Sequence, residues 1–350
     1  LFYRQNIAIL TLFSICLKIS FTDQRVHCTA IFTPLPVINM SSGGAKAIIE
    51  NGHVAKMVNI KWGVHKPSGS RVIISKTINE ATALKGLDIL KNAVHPNIVT
   101  IVEKYVDGKS LYLCFPVMDL GSVERILNDS YNNGIPEPSI VYILRRVLLA
   151  MQYLHSKNII HRAIRSKNIL LNSDGTVKLT GFKHAIHIPD CSRWIGVTNR
   201  VHDFHNLDDV FVWLAPEIMK QDLNGYGVES DVYSIGITLC EMGNGFAPFQ
   251  EMEPLQILFE KLRGSTPFLL DSSTQPTPDG LMNVYERMFT GVLHDVVGNC
   301  LCYDENKRPS CEQLLRSPLF TNQNDSLTTF CELLPNSIPL DLVEEPQSKQ

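Results

Sequence analysis

Residues 161–168 read His161-Arg162-Ala163-Ile164-Arg165-Ser166-Lys167-Asn168. Polar and basic side chains fill this run except at Ala163 and Ile164, and Ala163 has no atom that can accept a proton. The run follows Ile140–His155, whose apolar residues fall at helical spacing. Downstream, Ser230–Met242 reads as a second helix, apolar on more of its faces and so more deeply buried. Upstream the pattern turns β-rich. Val54–Lys61 and Val72–Ile78 flank His65-Lys66-Pro67-Ser68-Gly69, a hairpin-turn signal, and Leu111-Tyr112-Leu113-Cys114-Phe115 reads as a buried strand. Asn79–Ala93 between them reads as a helix. This order predicts an α+β fold of two lobes, a small β-rich one and a larger helical one.

The opening run resembles the protein-kinase catalytic loop H-R-D-x-x-x-x-N in every frame position except the aspartate, where Ala163 stands. Other segments carry the same resemblance in the same order. His95-Pro96-Asn97-Ile98-Val99 is similar to the segment after helix C, Ala215-Pro216-Glu217 to the A-P-E motif, and Pro116-Val117-Met118 to the interlobe hinge. The resemblance implies three structural residues: Glu217, paired with Arg308, and Asp231, which would cap the catalytic-loop backbone from a buried helix. It places a pseudokinase domain over 40–320, with an N-lobe over about 45–117 and a C-lobe over about 118–320, and leaves 321–350 as a flexible tail.

The same alignment locates what phosphoryl transfer would need. The D-F-G motif corresponds to Gly181-Phe182-Lys183, and Gly181 cannot hold magnesium, a hard cation that takes oxygen ligands. Of the two usual side-chain ligands only Asn168 is present, so no metal site is expected. The glycine-rich loop is reduced to Gly52. The strand lysine is ambiguous: counting from Gly69 puts Ser75 in its slot, counting back from Ile78 puts Lys76 there, and Lys76 is preferred. The helix-C glutamate position falls on Gly86, where a mid-helix glycine costs on the order of 1 kcal/mol relative to alanine. With base, metal aspartate and latch all missing, ordinary kinase turnover is not expected.

Further segments narrow the resemblance to the STRAD-type adaptor pseudokinases: Val201-His202-Asp203-Phe204, Trp213-Leu214-Ala215-Pro216-Glu217, Gly225–Thr238, Pro248-Phe249-Gln250-Glu251-Met252 and Leu269-Leu270-Asp271-Ser272-Ser273-Thr274. That resemblance implies a catalytically inactive adaptor that binds and allosterically activates a Ser/Thr kinase of the liver kinase B type, together with a Mo-type helical-repeat scaffold. It implies ATP as a non-hydrolysed structural ligand, with adenine at the hinge near Pro116 and Met118 and phosphates near Arg165 and Lys183. The nucleotide-binding set is then Gly52, Lys76, Pro116, Met118, Arg165, Asn168 and Lys183. The alternatives are a weakly active unorthodox kinase or a nucleotide-free scaffold. The family commonly ends in Trp-Glu-Phe, a grip on the scaffold; here the last tryptophan is Trp213.

A formal charge of −3 over 350 residues gives no basic excess for nucleic acid or an anionic membrane surface. Nine scattered cysteines match neither a zinc site nor a disulfide framework, which points to a reducing cytoplasmic setting, with the nucleus as a second compartment. Ile7–Leu17 is apolar between Arg4 and Lys18 but too short to span a bilayer, and the first methionine is Met40. The run resembles a signal-peptide h-region, and residues 1–39 are read as a leader or upstream sequence outside the fold. Between Asp203 and Trp213 there is no serine, threonine or tyrosine, so activation by phosphorylation cannot operate there. Asp208 and Asp209 read as a solvated acidic turn, with charge mimicry as the alternative.

Overall fold

The computed structural model describes residues 48–54, 60–78, 81–107, 110–188, 208–220, 225–274, 287–321, 329–340 and 342–344. The reading of residues 1–39, and the 201–204 segment of the family resemblance, lie outside the described residues.

Five strands and a helix build the first lobe: β1 (Ile48–Val54), β2 (Ile60–His65), β3 (Arg71–Ile78), α1 (Ala81–Asn92), β4 (Glu103–Asp107) and β5 (Ser110–Pro116). The β2–β3 turn is the one the His65–Gly69 signal predicts, closed by Gly69 N–H donating to the His65 carbonyl at 2.8 Å. Gly69 sits at φ +67°, a conformation that glycine adopts without steric cost. The described part of the strand before it begins at Ile60, later than the predicted Val54.

The second lobe follows as β6 (Gly121–Ser122), α2 (Val123–Ser130), α3 (Glu137–Ser156), β7 (Ile159–Ile160), β8 (Ile169–Leu171), β9 (Val177–Leu179), β10 (Ile186–His187), α4 (Pro216–Lys220), α5 (Glu229–Asn244), α6 (Pro254–Arg263), α7 (Gly291–Cys300), α8 (Cys311–Leu315) and α9 (Phe330–Leu333). Helix α5 is buried from Ser230 to Asn244, apolar or small on most of its faces, with Asp231, Glu241 and Asn244 buried among them. Around it and α3 lies the main core, with Ile140, Leu144, Leu148, Met151, Ile237 and Leu239 inaccessible or nearly so. The expected α+β architecture of a β-rich lobe and a helical lobe is the one observed.

A last strand, β11 (Leu342–Glu344), returns to the first lobe. The large sheet has the order β11-β1-β2-β3-β5-β4, with every neighbouring pair antiparallel. This corrects the reading of 321–350 as a flexible tail, at least over 329–340 and 342–344. Phe330 is fully buried and meets Tyr142 edge-on with centroids 5.4 Å apart. Ser139 Oγ donates to the Leu333 carbonyl at 2.8 Å, and Leu340 N–H donates to the Asp119 carbonyl at 2.7 Å. A three-residue strand and a one-turn helix are too short to show periodicity, so this docking rests on single anchors that a sequence pattern does not flag.

Candidate functional site

Between the lobes lies a cleft of about 640 Å³, in the size range of small-molecule sites. Ile60, Ile73 and Ser75 line it from the first lobe, Phe115, Pro116 and Met118 from the connection, Glu124, Arg125 and Asp129 from α2, and Asn168, Leu170, Thr180 and Gly181 from beneath.

The framework beneath the cleft is held by paired charges. Asp231, inaccessible on α5, accepts the backbone N–H groups of His161 and Arg162, each at 2.8 Å, and its carboxylate lies 3.1 Å from His155 Nε2. Burial works against the Asp231 charge, yet the His155 hydrogen bond and those backbone donors keep its pKa below the usual value. Burial likewise opposes a charge on His155, but Cys311 and Asp231 beside it raise its pKa to about 10. Arg308 forms a buried fork on Glu217, Nη1 to Oε1 at 2.6 Å and Nη2 to Oε2 at 2.9 Å. His161 is pushed down to about 4 by burial and is therefore neutral. Its Nε2 faces the Thr180 carbonyl at 3.0 Å, an acceptor, which fixes the proton on that nitrogen.

The loop 161–168 lies between this framework and the cleft, which its Lys167 and Asn168 line. Ala163 is 1% exposed and presents only a methyl group. Asn168 points inward, its Nδ2 donating to the Ala163 carbonyl at 2.8 Å. Gly181 sits at φ +88°, and a Cβ there would overlap the Asn168 carboxamide. An aspartate therefore fits this position neither conformationally nor sterically while Asn168 keeps its place. Gly86 is equally constrained. A Cβ on it would overlap the Phe182 carbonyl oxygen, so glycine lets the backbone of α1 lie directly on the 181–183 turn. The cost expected for a mid-helix glycine is offset by this close approach.

Three expected phosphate contacts, Lys76, Arg165 and Lys183, are placed elsewhere. Ser75, not Lys76, faces the cleft. Pairing Ser75 with Ile60 and Leu113, and Lys76 with Tyr112, puts these consecutive side chains on opposite faces of the sheet. Lys76 is exposed, with its ammonium 5.9 Å from the Tyr112 ring centroid. The count from Gly69 holds, because a turn fixes register at its own end of the strand. Arg165 turns away from the cleft. Its Nη2 contacts Asp209 Oδ2 at 2.9 Å, its Nη1 donates to the Asp209 carbonyl, and its guanidinium lies 5.3 Å from the Trp213 ring centroid. Lys183 is exposed and does not line the cleft. Pro116, Met118 and Asn168 do line it, and the backbone of Gly52 is paired between Trp62 and Glu344.

Several side chains that sequence reading missed pin the 208–214 segment. Asp209, expected as a solvated turn, bonds His184 Nε2 at 3.0 Å as well as Arg165. The His184 hydrogen bond, then the Arg165 and Lys183 charges, hold its carboxyl well below the usual carboxylate range. Glu241, pushed up to about 7 by burial, accepts from Trp213 Nε1 at 3.0 Å, from Ser166 N–H at 3.1 Å and from the Ser166 hydroxyl. Lys261, fully buried, donates to the Leu214 carbonyl at 2.6 Å, and its burial pulls its pKa well down. None of these partners is near in sequence, so no local pattern signals them.

The protein kinase domain model matches residues 52–320. The STE20-related kinase adapter protein alpha of Gallus gallus is 33% identical over 310 residues, covering 78% of this chain and 79% of the relative. The STE20-related kinase adapter protein beta of Homo sapiens is 32% identical over 319 residues, 80% of this chain and 75% of the relative. The strd-1 adapter of Caenorhabditis elegans is 37% identical over 235 residues, 64% and 58% respectively.

Proposed function

The chain belongs to the protein kinase domain family and, within it, to the STE20-related kinase adapter proteins; from that membership we propose that it transfers no phosphate and activates a separate Ser/Thr kinase by binding it. One observation carries the reading. The charges that shape the framework, Asp231 on the 161–162 backbone and Arg308 on Glu217, are fully engaged, while Ala163 and Gly181 present no carboxylate to the cleft.

General-base assistance is worth about 10²–10⁴ in rate, and no described side chain at Ala163 supplies it. Gly181 leaves the Asn168 carboxamide oxygen as the lone, neutral ligand that these two positions offer a divalent cation. A rigid kinase-shaped body with such a cleft acts through its surface. Binding energy that differs between the partner's active and inactive states shifts that partner's equilibrium. The partner is of the liver kinase B type, and a Mo-type helical-repeat scaffold completes the assembly, in the cytoplasm and, as a second compartment, the nucleus. Among the described residues no helix is long and apolar enough to cross a membrane. The interlobe cleft remains the place for an adenine-type ligand acting structurally.

Reconstitution tests this. The chain is mixed with the kinase and the scaffold, and phosphorylation of a peptide substrate is followed beside a catalytically dead partner. Stimulation that disappears with the dead partner is expected. Failure to form a complex, or signal that survives with the dead partner, rejects the reading.

A further inference from the structure

The cleft has room for a nucleotide, but its described lining has no net positive charge to meet a triphosphate. Ser75 places a neutral hydroxyl where β3 faces the cleft, and Gly181 has no carboxylate for a metal, nor room for one while Asn168 keeps its place. Arg165 is bound to Asp209 and stacked on Trp213. The charged side chains among the described lining residues are Glu124, Asp129, Arg125 and Lys167, whose formal charges cancel. Lys167 is exposed at the rim.

Arg125 is held by the returning C-terminal segment. Its guanidinium donates to the Ile338 carbonyl at 2.7 Å and the Pro339 carbonyl at 3.3 Å, and its Nε pairs with Asp129 at 3.2 Å. Leu340, next along that segment, lines the cleft and would contact a Cβ placed on Gly121. The same segment goes on to pair β11 with β1, so it crosses from one lobe to the other past the cleft.

We propose that this cleft takes an uncharged, nucleoside-sized ligand in preference to the corresponding triphosphate, with the C-terminal segment supplying part of its wall. The proposal rests on the cleft being the adenine site of the kinase fold, as the functional reading has it. A heterocycle finds an apolar slot in Ile73, Phe115, Leu170 and Leu340. Sugar hydroxyls find acceptors in Glu124 and Asp129. Each phosphate would instead enter a partly desolvated space whose described lining has no net positive charge, with Arg125 already paired and Lys167 exposed, and a poorly compensated ion there is costly.

Isothermal titration of the full chain with adenosine, AMP, ADP and ATP, each with and without magnesium, tests this. Adenosine is expected to bind at least about tenfold more tightly than ATP, with magnesium making no difference. ATP binding as tightly as adenosine, or adenosine failing to bind, overturns the proposal. Ser75→Lys should raise ATP affinity about tenfold while adenosine changes by less than about twofold; no change in that ratio rejects the charge argument. Leu340→Asp should weaken adenosine about fivefold with the far-ultraviolet dichroism unchanged, and unaltered affinity removes the segment from the wall. Capture of the partner kinase in the same preparation separates the two readings. Partner binding without adenosine binding overturns this inference alone; adenosine binding without partner capture overturns the adaptor reading alone.

Discussion

The layer beneath the cleft and the cleft itself follow opposite rules. Beneath, at Asp231, Arg308 and Glu217, each charge meets a partner of opposite sign or a backbone donor. Above, at Ala163, Gly181 and Ser75, the side chains are small or neutral. The difference teaches that a kinase's shape and its chemistry rest on separate side chains. An unpaired buried ion in the lower layer would destabilise the whole lobe, whereas removing a charged group from a solvent-connected cleft affects only the ligand.

The largest expected effect comes from breaking the lower layer. Arg308→Ala leaves Glu217 buried without its fork and should cost about 3–5 kcal/mol in urea unfolding. A loss below about 1 kcal/mol would show that the pair is not what holds α4 to the lobe.

Next comes Gly86→Ala, where two effects compete. Helix propensity favours alanine by about 1 kcal/mol, while overlap with the Phe182 carbonyl should cost about 1–3 kcal/mol. Net destabilisation is expected in the same assay, and a stabilised variant would refute the close approach of α1.

Glu241 sharpens the comparison through pH. Its folded pKa of about 7 lies above the ordinary 4.5, so between those values the folded state holds a proton that the unfolded state has shed. Stability is therefore lost as pH rises from about 4.5 to about 7. Glu241→Gln should remove this component and flatten the melting temperature across the window by a few degrees, about 2–4 °C per kcal/mol. An unchanged pH profile would place the proton elsewhere.

The smallest effect is expected in the cleft. Ala163→Asp restores the missing carboxylate but neither a metal aspartate nor a strand lysine. No transfer from radiolabelled ATP to a peptide should appear above the parent chain. Measurable turnover would mean that one base was the only deficiency.

Much of this was legible in the sequence. The Ala-Pro-Glu and Ser-Asp-Val-Tyr-Ser segments each mark a residue whose partner is set by the fold, and Glu217, Asp231 and Arg308 occupy those places. The turn at His65–Gly69 located β3, yet the pattern left two counts for its cleft-facing residue. The Ser75↔Ile60 register resolved them, since a single-residue slip exchanges the two faces of a strand.

The sequence by itself determined the fold class, the order of the lobes and the absence of a carboxylate at Ala163 and Gly181, because these follow from residue identity and short-range periodicity. Only the tertiary structure decided that Arg165 serves Asp209 rather than the cleft, that Gly86 is required by the Phe182 carbonyl, and that the C-terminal segment lies across both lobes. Each of these depends on partners distant along the chain. Local pattern says which side chain is present; long-range packing sets which way it faces and what it meets.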